Sequence, residues 1–156
     1  MKITDILTKD QILLNINLST KEEAINTLVL EAEKSGNLVN TSAVLSAILE
    51  RENIMSTGIG NGFALPHCKT SGISQTMGVV ALLKTPLEFE ALDNNPVTVI
   101  FLLLSTDNSV GNHLKLLSRI SRIMNNTEFR KKLLTAKDQS EAFSMFLEEE
   151  NEKMPL

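Results

Sequence analysis

The chain has 156 residues, 19 acidic and 15 basic, with a formal net charge of -4, a single cysteine and neither tryptophan nor tyrosine. Its 42% hydrophobic content supports one substantial core, while scattered acidity without a basic block argues against a nucleic-acid track and the missing aromatics argue against stacking platforms for bases or sugars. One cysteine cannot form an intrachain disulfide, Met1-Lys2-Ile3-Thr4 begins no signal-like apolar run, and the longest apolar stretch, Val99 to Leu104, is far too short for a bilayer. A cytoplasmic protein with no membrane insertion is expected.

In chain order, the first helix is predicted to begin near Thr20. Thr20-x-x-Glu23 is a capping-box pattern, and Ala24, Ile25, Leu28, Val29 and Ala32 recur at helical spacing until Gly36-Asn37. Asn40 or Thr41 caps a second helix with Val44, Leu45, Ile48 and Leu49 on one face, running out around Arg51 or Glu52. Ser56 to Gly62 cannot be helical, because three glycines in five residues are entropically costly there. Phe63-Ala64-Leu65 reads as a short strand carrying Pro66-His67 at its end. Gly78 to Leu83 and Val97 to Leu104 are near-continuous apolar runs, the pattern of strands covered on both faces. Thr85-Pro86 and Asp93 to Pro96 read as turns around a short strand at Leu87-Glu88-Phe89, with an Asx cap the ordinary role for Asp93.

After a polar connection from Thr106 to Asn112, a third helix capped by Asn112 presents Leu114, Leu117, Ile120 and Met124, joined by Leu116 and Ile123. Asn125-Asn126 ends it. A short helix covers Thr127 to Leu134, and Asp138-x-x-Glu141 caps a last one with Ala142, Met145 and Phe146 inward. Glu148-Glu149-Glu150 puts acid at the unfavourable end of the dipole and is expected to fray. The layout is one α/β domain over residues 1–156, with a mixed central sheet flanked by helices.

Chemistry concentrates on two histidines, the only ones in the chain. Proline before His67 fixes φ and favours extended geometry in Leu65, so the imidazole is aimed. A carbonyl accepting from one ring nitrogen would direct the other at phosphorus. Donors for phosphoryl oxygens would come from backbone amides of the loop Gly58, Gly60, Asn61 and Gly62, from Ser56 and Thr57, and from Arg51 or Lys69; the alternative is a structural loop whose glycines permit tight turns and close packing. His113, at the start of the third helix, would stay neutral and orient a phosphoryl group on His67 if the fold joins them; otherwise it is a half-buried structural histidine. The glycine spacing matches no nucleotide loop, Cys68 with the histidines lacks zinc spacing, and no carboxylates are spaced as a hydrolytic pair. No metal or cofactor is expected.

Ile48-Leu49-Glu50-Arg51-Glu52 followed by Ser56-Thr57-Gly58-Ile59-Gly60-Asn61-Gly62-Phe63-Ala64-Leu65-Pro66-His67 resembles the active-site signature of fructose/mannitol-type (type 2) enzyme IIA domains of the bacterial phosphoenolpyruvate-dependent phosphotransferase system. The resemblance continues through Leu92 to Val97, Phe101-Leu102-Leu103 and His113 to Leu117, covering nearly the whole chain. It implies that His67 is the phosphoacceptor, His113 the second active-site histidine, and Arg51 a residue of the phosphoryl or partner surface. It also implies a histidine-containing phosphocarrier protein as donor. Where the family pattern has glycine after Pro-His, this chain has Cys68, a tolerable small residue that adds an oxidisable thiol. A chain without fused modules, and Asp93-Asn94-x-Pro96-Val97, resemble the nitrogen-type regulatory branch. The alternatives are a sugar-specific component passing phosphate to a fructose- or mannitol-type enzyme IIB, and a regulatory module that binds target proteins stoichiometrically and is switched by phosphorylation.

Overall fold

Two long apolar strands dictate the centre of the molecule, whose computed structural model describes residues 1–108 and 110–154, Ile59 by its backbone alone. β5 (Met77–Leu87) and β6 (Val97–Thr106) pair antiparallel, with Val79 opposite Leu102 and Ala81 opposite Ile100. Around them the sheet runs β1-β5-β6-β3-β2, where β1 is Ile12–Ile16, β2 Gly58–Gly60 and β3 Phe63–Ala64. β4 (His67–Thr70) pairs parallel with the far half of β6. Parallel pairs at β1, β3 and β4 beside antiparallel pairs at β5 and β2 make the sheet mixed.

Strand alternation divides the core in two. Val99, Phe101 and Leu103 face one cluster, completed by helices α1 (Ile3–Ile6), α4 (Val110–Met124), α5 (Thr127–Leu133) and α6 (Gln139–Lys153). Ile100, Leu102 and Leu104 face the other, closed by α2 (Lys21–Glu33) and α3 (Thr41–Ile54). The continuous apolar runs in the sequence reflect this two-sided covering. Among the described residues no helix is long and apolar enough to cross a membrane.

The caps follow local chemistry. Thr20 Oγ1 accepts from the Glu23 amide, Asn40 Oδ1 from Ala43, and Asp138 Oδ1 from Glu141. Several expectations need correction. The first helix is α1, not the one at Thr20, and a 3-10 turn at Lys9–Gln11 leads into β1. Four residues carry too little periodicity to announce a helix. α3 continues past Glu52 to Ile54. Thr85-Pro86 is no turn but the exposed far end of β5, at a slip in the ladder between Leu82 and Leu87 where proline is tolerated, and only Leu87 of the expected short strand is in a strand. Thr106 belongs to β6; Asn112 lies inside α4, which begins at Val110, and Leu114 is 62% exposed rather than part of the buried stripe.

The acidic end of α6 does not fray. Glu150 is fully buried, accepting from the amides of Ile3 (2.5 Å) and Thr4 (3.2 Å) and from Arg119 Nε (2.8 Å). A carboxylate from one end of the chain thus caps a helix at the other, an arrangement that outweighs the unfavourable dipole.

Candidate active site

The site is assembled where Pro66 interrupts a line of pairing along β6. β3 pairs Ala64 with Ile100, β4 pairs His67 with Leu103, and between them the Pro66 carbonyl accepts from the Leu103 amide at 3.0 Å. Proline has no N–H to continue the ladder, so the strand divides and His67 starts a new segment. His67 is therefore the first residue of β4, not the end of the strand before it. Alternation along β4 buries Cys68 and Thr70 and leaves His67 and Lys69 on the open side.

His67 Nδ1 lies 2.7 Å from the Leu65 carbonyl oxygen. A carbonyl only accepts, so Nδ1 carries the proton and Nε2 the lone pair. Burial holds His67 below the ordinary imidazole range; the Leu65 bond opposes this, the Arg51 cation adds to it and the Glu52 carboxylate opposes it.

The fold brings the second histidine to the first. His113 is the fourth residue of α4 and 7% exposed, and the two rings have centroids 5.6 Å apart with planes at 46°. His113 Nδ1 lies 2.7 Å from Ser105 Oγ, a fully buried hydroxyl on β6. Burial, then the proximity of His67 and Lys69, pushes His113 down to about 4. The imidazoles share a cleft of about 380 Å³ with Arg51, Cys68 and Lys69. Arg51 is held there by an Nη1 bond to the Met55 carbonyl at 3.0 Å. Burial, and secondarily Asp107, pushes the Cys68 thiol up to about 12, so it is not a thiolate near neutrality.

The glycine loop does something other than line this cleft. Ser56 Oγ donates to the Phe89 carbonyl (2.9 Å), while the Thr57 amide and hydroxyl both donate to Glu52 (2.8 and 2.5 Å). Gly58 packs against Ala91 so closely that an added Cβ would sit 3.0 Å from its Cα. Gly60, Asn61 and Gly62 have φ of 111°, 57° and 81°, forming the bend between β2 and β3. The Asn61 amide donates to Asp93 Oδ2 at 2.9 Å, and Asp93 Oδ1 accepts from Asn95 as an Asx turn. Thus Arg51, His67, Lys69 and His113 meet, whereas Ser56, Thr57, Gly58, Gly60, Asn61 and Gly62 buttress the hairpin behind them.

Ser105 and Glu52 escaped the sequence reading. Each left a signal: Ser105 ends an apolar strand run, and Glu52 follows Val44 and Ile48 at spacing four on the buried face of α3. A larger cleft of about 650 Å³ lies beyond Glu52, lined by Lys21, Ser56 and Glu88 among others, and contains neither histidine.

The depressed histidines carry a stability consequence. In the unfolded chain an imidazole takes up its proton near pH 6.5, whereas folded His113 resists until about 4. The unfolded state then binds more protons between these values, so stability falls as pH drops from about 6.5 to 4 and this contribution levels off below. Thermal unfolding across that range should show a shallower loss in His113→Gln than in wild type; parallel slopes would contradict the assignment.

Comparison with known proteins covers most of the chain. Residues 5–149 match the family described as "Phosphoenolpyruvate-dependent sugar phosphotransferase system, EIIA 2". The chain is 39% identical to the PTS system fructose-specific EIIABC component of Bacillus subtilis over 89% of its own length, but spans only 22% of that protein. It is 34% identical to a nitrogen regulatory protein of Bradyrhizobium diazoefficiens, covering 93% of this chain and 94% of that one. The crystal structure of nitrogen regulatory protein IIA-Ntr from Neisseria meningitidis superposes with a TM-score of 0.86 at 29% identity, covering 92% and 98% of the two chains. On this match the chain belongs to the EIIA 2 family of the phosphoenolpyruvate-dependent phosphotransferase system, whose chemistry is phosphohistidine relay.

Proposed function

We propose that His67 Nε2 accepts a phosphoryl group from the phosphohistidine of a small histidine-containing phosphocarrier protein. The observation carrying this reading is the 2.7 Å bond from Nδ1 to the Leu65 carbonyl, which leaves Nε2 as the nucleophile. Its lone pair forms the new N–P bond as the bond to the donor's ring nitrogen breaks, and that nitrogen keeps the electron pair. Phosphorylated His67 retains its Nδ1 proton on a now more acidic ring, which the Leu65 carbonyl stabilises. Arg51 and Lys69 offset the added negative charge, and His113 donates from Nε2 to a phosphoryl oxygen while Ser105 donates to its Nδ1.

The output we propose is regulatory, of the nitrogen-type branch. The support is near end-to-end similarity to nitrogen regulatory proteins. A phosphate adds nearly two negative charges to a cleft lined by the cations Arg51 and Lys69 beside the single carboxylate Glu50, which changes the surface offered to a target without refolding it. The 39% identity to a fructose-specific component favours a second reading, delivery to the cysteine of a sugar-specific enzyme IIB. The discriminating experiment charges the protein with phosphoenolpyruvate, the general kinase of the system and the phosphocarrier, confirms an acid-labile Nε2 phosphoramidate by NMR, and divides it. One half is offered to purified fructose-type enzyme IIB and the other to native lysate, beside uncharged protein. State-selective recovery of a non-sugar target without rapid transfer supports regulation; rapid transfer to the enzyme IIB cysteine establishes transport; absence of any phosphoramidate overturns both.

A further inference from the structure

We infer that Glu52 and Thr57, with Lys21 behind them, are positioning residues that fix the ring of His67 from the far side of the hairpin, an inference resting on the acceptor role proposed above. The contacts form an unbroken series. Lys21 Nζ lies 2.6 Å from Glu52 Oε2, the Thr57 amide donates to that oxygen at 2.8 Å, and the Thr57 hydroxyl donates to Oε1 at 2.5 Å. The Thr57 carbonyl accepts from the Leu65 amide at 3.0 Å, and the Leu65 carbonyl accepts from His67 Nδ1 at 2.7 Å. The first link is an ion pair, and every other is a hydrogen bond or a short stretch of backbone. The carbonyl that selects the His67 tautomer is thus anchored, through Leu65 and Thr57, on a carboxylate of α3.

The burial of that anchor needs a reason. Glu52's side chain is 4% exposed and Lys21's 17%, and desolvating such a pair offsets much of its attraction. An apolar pair would hold two helices and a hairpin together at least as well. A carboxylate does something an apolar residue cannot: two oxygens grip the amide and hydroxyl of one residue at once, fixing where Thr57 sits as well as that it is buried. Lys21 completes the set, its ammonium 5.0 Å from the centre of the Phe89 ring and 3.4 Å from Ser56 Oγ. Arg51, one residue before Glu52, points into the histidine cleft from the same helix end, so the clamp also sets the spacing between Arg51 and His67. A displacement of about 1 Å in such geometry costs up to 100-fold in rate.

The test compares Thr57→Val, which keeps shape and loses the hydroxyl, with Thr57→Ser, which keeps the hydroxyl. Two properties are measured at a temperature where each variant is folded: the His67 tautomer in the unphosphorylated protein by two-bond proton–nitrogen NMR, and single-turnover phosphorylation by the charged phosphocarrier over a concentration series. Thr57→Val is expected to show a mixture of tautomers and a maximal rate about tenfold lower with little change in half-saturating concentration; Thr57→Ser restores both. A Lys21→Met/Glu52→Leu double substitution, which leaves neither charge buried alone, is expected to repeat the Thr57→Val pattern. Wild-type tautomer and rate in both Thr57→Val and the double variant, with only a lower melting temperature, would overturn the inference. Because the tautomer is read without phosphate, the positioning role is tested even if the acceptor proves to be another residue.

Discussion

A His67→Ala protein is expected to gain no mass when incubated with phosphoenolpyruvate, the general kinase of the system and the phosphocarrier, while wild type gains one phosphoryl group. The expectation is for complete loss because the cleft offers no substitute nucleophile. Cys68 beside it is a thiol pushed up to about 12 by burial, so its thiolate fraction near neutrality is negligible. The hydroxyls of Ser56 and Thr57 are bonded to Phe89 and Glu52, away from the cleft. His113 is neutral but held at Nδ1 by Ser105 and buried, so an incoming phosphocarrier reaches it less readily than half-buried His67. The substitution removes one hydrogen bond to a carbonyl two residues away and should lower stability by only about 1 kcal/mol, which thermal unfolding checks. A mass gain that survives in His67→Ala would move the acceptor elsewhere and break the proposed mechanism.

How much of this was legible in the sequence depended on the range of the interactions involved. The caps at Thr20, Asn40 and Asp138 and the two central strands were readable because a cap spans three residues and a buried strand is apolar throughout. The break at Pro66 was readable because proline acts on its immediate neighbours, whereas the pairing with β6 that makes His67 the first residue of β4 was not. The short α1 was not readable, since its first-turn amides are satisfied by Glu150 from the other end of the chain. For the same reason the acidic tail of α6 looked like a fraying end. For the loop from Ser56 to Gly62 the sequence left two readings open, a phosphate cradle and a structural turn. Hydroxyls and glycines beside a nucleophile suggest a phosphate cradle, but composition cannot distinguish amides pointing at a ligand from amides spent on Asp93 and Glu52. Glu52 was overlooked, although a carboxylate at a core position of α3 is a local conflict of the kind that marks strained or functional places.

His113→Ala is expected to keep the phosphoryl group on His67 and slow its arrival by about 100-fold, the usual cost of removing one preorganised donor from a developing phosphoryl charge. Burial is what equips His113 for this. Held down to about 4, it stays neutral throughout the physiological range. A neutral imidazole adds no positive charge to repel the protonated, phosphorylated ring of His67, whose centroid lies 5.6 Å away. It can still donate from Nε2, provided that Nδ1 accepts, and the buried Ser105 hydroxyl at 2.7 Å supplies the proton for that bond. Two further variants separate this donor role from mere filling of the cleft. His113→Gln carries an amide N–H on a side chain of similar reach and should recover part of the rate, whereas His113→Leu fills the space and should not. Ser105→Ala lets His113 adopt either tautomer and should slow transfer by less than His113→Ala, with no added effect once His113 is already alanine. Rapid-quench measurements at saturating charged phosphocarrier read each rate directly. Equal rates for wild type, His113→Ala and His113→Leu would leave His113 a packing residue, and an additive Ser105→Ala effect in the His113→Ala background would separate the two residues.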